Sequence, residues 1–308
     1  MKNTITQRKG YLFALGAVLI WTGFIVVSRL GGISQLLPND VIAIRYATCA
    51  VLLLPVWWFK FRFNILNPKI ICTSLIGGIA YASCAFRGFE LAPASHAAVL
   101  LPGLMPLFIT LLSRFIFKDK IKRSSWIGVG VITLGVLALL GQNQSSNTAS
   151  AVGTGQLWLI FAAFFWALFS VLVKHWKISP WEATISLALV SSVIYLPIYL
   201  VALSSNISLS LWKDVLTQAF YQGFLATIIQ MLLYVRAVHI IGPTSVGTMM
   251  AAVPILASIS AIIFLNEPSS VFLATGVVLV SIGSWISHAS PRINQKPREE
   301  LVASLSDK

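Results

Sequence analysis

Long apolar runs alternate with short polar breaks along the chain, and the runs are apolar all round rather than on one face. A helix crossing the hydrocarbon core needs about 20 apolar residues, and lipid leaves backbone groups no partner outside such a helix. The pattern predicts spanning helices over residues 11–29, 39–59, about 70–91, about 94–117, 125–141, 155–174, 181–203, about 214–238, about 243–265 and 270–288. Pro38 opens the second run, and Ala92-Pro93 divides the third from the fourth. The cluster Lys118, Asp119, Lys120, Lys122 and Arg123 closes the fourth. Residues 142–154, rich in Ser, Asn and Gly and without charge, read as a linker. Residues 1–10 form a basic N-terminal segment. Residues 289–308 form a polar tail of mixed charge, expected to be disordered. The first run is long for a signal-peptide core and no small-x-small cleavage site follows it, so it reads as an uncleaved helix.

The runs repeat. Gly10, Leu12, Ala17, Trp21, Phe24, Val26 and Arg29 match Gly155, Leu157, Ala162, Trp166, Phe169, Val171 and Lys174 at one offset. Pro38, Asp40 and Pro55 match Pro180, Glu182 and Pro197, and Arg87 matches Arg236. Pro106, Asp119, Gly128 and Gly135 match Pro254, Glu267, Gly276 and Gly283. The reading is an all-α polytopic membrane protein with ten transmembrane helices in two five-helix repeats, residues 11–141 and 155–288. Five is odd, so the second repeat enters the membrane inverted, an architecture of secondary transporters.

Composition agrees: 57% of the 308 residues are hydrophobic and 10% charged, against roughly 25% charged in soluble domains. The net charge of +13 does not call for a nucleic-acid partner, because the basic residues sit between the runs as the positive-inside rule expects. With a cytoplasmic N-terminus and ten crossings, nearly all inter-helix Lys and Arg fall on the cytoplasmic side. Only Arg29 and Lys213 fall opposite, at its edges. Both termini are then cytoplasmic and the expected location is the cell inner (plasma) membrane. Cys49, Cys72 and Cys84 lie inside apolar runs with no metal-ligand spacing and no disulfide framework, so neither metal nor cofactor is expected. No Walker motif is present, and no cluster of titratable residues at one depth suggests an enzyme.

The doubled positions carry a resemblance. Ala17-x3-Trp21 resembles the opening of the EamA-type family of the drug/metabolite transporter superfamily. So do Arg45, Pro106, the acid after the fourth or ninth helix (Asp119, Glu267), and the glycine pairs Gly128/Gly135 and Gly276/Gly283. The resemblance covers about residues 10–288. It implies a ten-helix carrier of small metabolites in a lipid bilayer, with a cavity lined by helices one, three, four, six, eight and nine and with helices five and ten at the periphery. Asp119 stands where Glu is usual, and Leu187 where Arg45 would map.

Polar side chains at membrane depth are functional candidates by default. In the eighth helix Gln218, Gln222, Gln230 and Tyr234 recur at spacings of four or eight, which on an α-helix is one face, with Thr227 beside it. That face is read as cavity lining in preference to interhelical glue. In the third helix Tyr81, Cys84 and Arg87 are spaced by three, and Glu90 can pair with Arg87. Arg87 and Arg236 could each grip a carboxylate or phosphate with a bidentate fork, or snorkel and fix a helix end. Arg45 reads more readily as a structural residue, bonded to loop carbonyls or Asp40, than as a substrate contact. His96, at the start of the fourth helix, is a helix-end histidine or a group titrating near neutrality. Trp21 and Trp166 are too deep for an interfacial belt and read as cavity wall or helix packing. Pro106 and Pro254 remove donors within helices four and nine and mark places to flex. Thr248 lies in the first turns of helix nine. The residues expected to bind substrate are therefore Trp21, Tyr81, Arg87, Trp166, Gln222, Gln230, Tyr234 and Thr248; those expected to gate or couple are His96, Pro106, Arg236 and Pro254. The expected activity is alternating-access export of a small metabolite such as an amino acid, with multidrug or lipophilic efflux as the alternative.

Overall fold

The structure, a computed structural model, describes residues 2–117, 123–141 and 146–289. Among these there is no strand. Nine helices are long and apolar enough to cross a membrane: α1 (Thr6–Ile33), α2 (Pro38–Phe61), α3 (Pro68–Leu91), α4 (Ala94–Phe117), α5 (Arg123–Leu140), α6 (Ala149–His175), α7 (Pro180–Ala202), α8 (Leu209–Gly242) and α9 (Ser245–Leu265). A shorter apolar helix follows, α10 (Val271–Ser287). Asp119, the basic residues beside it, and the tail beyond 289 lie outside the described residues.

Two boundaries differ from the hydropathy reading. Helix begins at Lys2 rather than at 11, and at Ser146 rather than at 155, so most of the expected linker is helical. Apolar run length marks the hydrocarbon, not the helix end. Neither polar stretch contains a proline to stop the helix, and Thr154 bonds back to the Ser150 carbonyl at 2.8 Å.

Each half opens its second helix with a proline followed by a capping acid. In α7, Ser179 and Glu182 form a reciprocal capping box, at 3.2 and 2.9 Å. In α2, Asp40 accepts from the Leu37 N–H at 2.8 Å, from the Asn206 N–H at 3.1 Å and from the Tyr199 hydroxyl at 2.6 Å. Asp40 is fully buried, so it depends on these donors. Tyr199→Phe removes a hydrogen bond to a buried carboxylate and is expected to cost about 1.5–3 kcal/mol, read as a lower unfolding temperature in detergent.

The helices are not uniformly α. Wide π turns occupy Leu75–Ala80 in α3 and Ala219–Ile229 in α8. A π turn frees backbone carbonyls, and neighbours take them: the Thr227 hydroxyl donates to the Gln222 carbonyl at 2.7 Å, and Cys49 Sγ–H to the Gly223 carbonyl at 3.4 Å. The two segments end seven residues before Arg87 and Arg236 respectively. The chain breaks between α8 and α9 at Gly242, whose φ of 82° only glycine adopts readily. Within α9 the turn at Ala251-Ala252 interrupts the helix just before Pro254, whereas α4 runs unbroken through Pro102 and Pro106.

The helices pair as α1 with α8, α3 with α6, α4 with α6, α1 with α9, α4 with α9, α2 with α7, and α5 with α10. α2 also packs on the π segment of α8, and α7 on that of α3. The α5–α10 seam is the most extensive helix pairing among the described residues. A Cβ on Gly128 would stand 2.7 Å from the Gly283 carbonyl oxygen, and one on Gly283 2.7 Å from that of Gly128. Gly135 and Gly276 oppose each other in the same way, at 3.0 and 2.9 Å. Gly128 faces Gly283 while Gly135 faces Gly276, so the two helices run antiparallel.

Candidate functional site

The bundle centre holds a narrow cleft walled by Trp21, Phe24 and Ile25 of α1, Tyr81 of α3, and Leu101, Pro102 and Met105 of α4. It has room for about one water molecule. Trp166 of α6 extends the wall: its ring lies 4.8 Å from that of Tyr81 and 5.2 Å from that of Phe169. Phe24 is braced edge-on by Phe89 at 5.9 Å. Three of the residues expected from sequence, Trp21, Tyr81 and Trp166, therefore meet. α1 and α3 are held in place by small residues that admit close neighbours. Gly16 lies against Leu233, and Gly77 against Phe169.

Other expected residues lie elsewhere. Gln222 is fully buried, but its amide donates to Ser28 Oγ at 2.9 Å, and Gln218 donates to the Val27 carbonyl at 2.9 Å. These two glutamines bind α8 to α1. The π segment puts Gln230 and Tyr234 out of phase with them, so the four do not form one continuous face. Gln230 is half-buried, and Tyr234 packs against the small cluster of Ala14, Ala237 and Val246. Thr248 is half-buried in α9.

Arg87 is not in the cleft. Its side chain is 55% exposed and pairs with Glu90 at 2.7 Å. Arg236 is exposed too, its guanidinium 5.9 Å from the Phe13 ring. An exposed pair of this kind contributes about 0–1 kcal/mol. Arg87→Ala is therefore expected to change the unfolding temperature by no more than a degree or two and to leave transport rates at wild-type level.

At one end of the bundle, charge is concentrated where α1, α3, α4 and α9 meet. Glu267, just beyond α9, accepts from the Ala94 and Ser95 N–H groups at 2.6 and 2.9 Å. It thereby caps α4 across the halves of the chain. Arg29 Nε lies 3.8 Å from Glu267, and its Nη1 donates to the Phe89 and Glu90 carbonyls at 2.7 and 2.8 Å. His96 is buried beside them, its Nδ1 3.1 Å from the amide of Gln156 in α6. Sequence reasoning marked Glu267 only as a repeated acid; its role as a cap depends on a contact across 173 residues.

Sequence also undervalued Arg45. It forms neither expected bond: Asp40 is held by Leu37, Asn206 and Tyr199. Arg45 is instead 7% exposed, with its guanidinium 5.8 Å from the Phe24 ring. Among the described residues no group of three or more His, Cys, Asp or Glu could hold a metal ion.

An all-helical chain with nine helices of membrane-spanning length among the described residues defines a polytopic membrane protein. The profile of the EamA-like transporter family matches the chain twice, over residues 8–141 and 153–288. The chain belongs to that family, whose members are transporters and not enzymes. It is similar to "Uncharacterized transporter YwfM" of Bacillus subtilis, 34% identical over 48% of this chain and 51% of that protein, so this match spans about half of each. It is also similar to a Salmonella typhimurium protein named "Probable amino-acid metabolite efflux pump", 26% identical over 95% of this chain and 99% of that one. A solved crystal structure shares the fold with a TM-score of 0.60, over 90% of this chain and 96% of that chain, at 17% identity.

Proposed function

We propose that the protein is a secondary carrier that exports a small metabolite such as an amino acid across the cell inner membrane. Two five-helix units, inserted in opposite senses, make ten crossings with both termini in the cytoplasm and alternate access to the central cleft. The observation that carries this reading is the helix pairing. Exchanging α1–α5 for α6–α10 turns each of the seven pairings named above into itself or another of the seven, and the packing of α2 on the π segment of α8 into that of α7 on the π segment of α3. α1 with α8 becomes α6 with α3, and α4 with α6 becomes α9 with α1. The antiparallel glycine seam between α5 and α10 and the paired π segments of α3 and α8 fit the same two-fold relation. The family profile also matches once in each half. Two equivalent units around one site can swap conformations, which opens the site to each side in turn. In α10, 17 residues rise about 26 Å, close to the hydrocarbon thickness.

An amino-acid substrate is supported by the name of the Salmonella relative and by a cleft with aromatic walls beside a buried arginine. A lipophilic cation, the cargo of many multidrug exporters, fits poorly because no acid among the described residues faces the cleft. The test is counterflow of labelled amino acids in proteoliposomes. Flux well above empty liposomes for at least one member of the panel is expected. Absence of flux across the whole panel would overturn the amino-acid reading.

A further inference from the structure

Arg45 stands about 10 Å along α2 from its first residue. Its Nη1 is buried without a hydrogen-bond partner, and neither ion pair of the described residues includes it. The neighbouring acids are engaged: Asp40 caps α2, Glu90 pairs with Arg87, Glu182 caps α7, and Glu267 holds Arg29 and α4. Asp214 lies near the start of α8, in the first turn of its α-helical stretch from Trp212. An arginine does not escape burial by losing its proton. A charge of this kind in a membrane span is costly, and spans retain one where it meets a ligand or a pathway. The guanidinium carbon lies 5.8 Å from the centre of the Phe24 ring, and Phe24 is itself cleft wall. It therefore lies between α1 and α2, on the Phe24 side of the cleft.

We propose that Arg45 is the anion anchor of the central cleft. It takes the carboxylate of the transported molecule, while Trp21, Phe24, Tyr81 and Trp166 take its carbon body. This deepens the transport reading above and rests on it for the word "transported". Among the described residues one unpaired cation lies beside the cleft and matches one negative charge, so the favoured group is a monoanionic carboxylate rather than a phosphate dianion. Arg29 cannot serve as the second cation because Glu267 occupies it. The ammonium of a zwitterion would meet ring faces, which attract cations, rather than an acid.

The proposal separates from a structural role for Arg45 by the sign of a stability change. Removing an unpaired buried charge should not destabilise the empty protein, whereas removing a structural arginine should. The full chain is purified in detergent, and thermal unfolding is followed with phenylacetate or its neutral isostere phenylacetamide at millimolar concentration. Labelled amino-acid counterflow is measured in parallel in proteoliposomes. Expected results are that phenylacetate stabilises the wild type and phenylacetamide does not. Arg45→Met unfolds at or above the wild-type temperature without ligand, loses the response to phenylacetate, and loses at least tenfold in flux. Arg45→Lys, which keeps the charge but not the planar fork, retains part of both. The anchor is overturned if Arg45→Met unfolds well below the wild type or fails to fold. It is also overturned if Arg45→Met responds to phenylacetate as the wild type does, or if acid and amide act alike on the wild type. A carboxylate response lost in Arg45→Met, with no flux in any protein, leaves the anchor standing and removes the transport reading. Normal flux in Arg45→Met does the reverse.

Discussion

Glu267→Ala is expected to lower the stability of the protein by about 3–5 kcal/mol, the scale for breaking a buried ion pair from one side. Three losses coincide. The Ala94 and Ser95 N–H groups at the start of α4 lose their acceptor, and both residues are almost completely buried, so water does not replace it. Arg29 loses its acid while remaining largely buried. α9 also loses its polar attachment to α4. Glu267→Gln should recover less than half, because an amide has one acceptor oxygen where the carboxylate uses two. Thermal unfolding of the solubilised protein checks both, and a loss below 1 kcal/mol for the alanine variant would mean the cap contributes little. Transport should fall as well, since the cap closes the end of the bundle where α1, α3, α4 and α9 converge.

The second large effect is expected at the α5–α10 seam. Gly283→Leu places a side chain where even its Cβ would approach the Gly128 carbonyl to 2.7 Å. Backbone cannot rotate away as a side chain can, so the helices must separate. Overpacking of this kind costs roughly 1–3 kcal/mol for a single added methyl and more for a large side chain. Gly283→Ala should therefore be measurably destabilised and Gly283→Leu should express poorly or aggregate. Gly130, in the same helix as Gly128, is the control: a Cβ there meets nothing within 4 Å. Gly130→Ala should be neutral, or stabilising by up to about 1 kcal/mol from helix propensity. Unfolding temperatures and monodispersity of the three variants decide the matter; equal behaviour of Gly283→Ala and Gly130→Ala would show the seam to be soft.

What sequence made legible was whatever rests on lipid and on repetition. Apolar length located the nine described helices long enough to span and the shorter apolar helix α10, because the bilayer imposes it on each segment separately. Pro38 marked a helix start, because a proline in the first turn acts locally, while Asp40, Pro180 and Glu182 were visible only as repeated positions. The glycine pairs were visible because each occurs twice. The site was harder. Trp21 and Trp166 stood out by depth and Tyr81 by its spacing from Cys84 and Arg87, but the glutamines of α8 were misread as one face. Counting in fours assumes 3.6 residues per turn, and nothing in Ala219–Ile229 announces the wider turns. Arg87 looked more useful than Arg45, since both are single arginines in apolar helices. Only the assembled bundle shows that one is exposed and paired and the other buried and alone.

The wide turns of α3 and α8 also give the bundle a kind of slack. Each surplus residue sets the side chains beyond it back by about 100° relative to an unbroken α-helix. If such a turn migrates by one position, a side chain is handed from one neighbour to another while both ends of the helix stay fixed. That is a screw adjustment rather than a tilt, and its travel is bounded by the length of the wide segment. Six residues are available in α3 and eleven in α8. The half of the chain with the longer thread is the half whose glutamines grip α1, so the two units need not contribute equally to the motion.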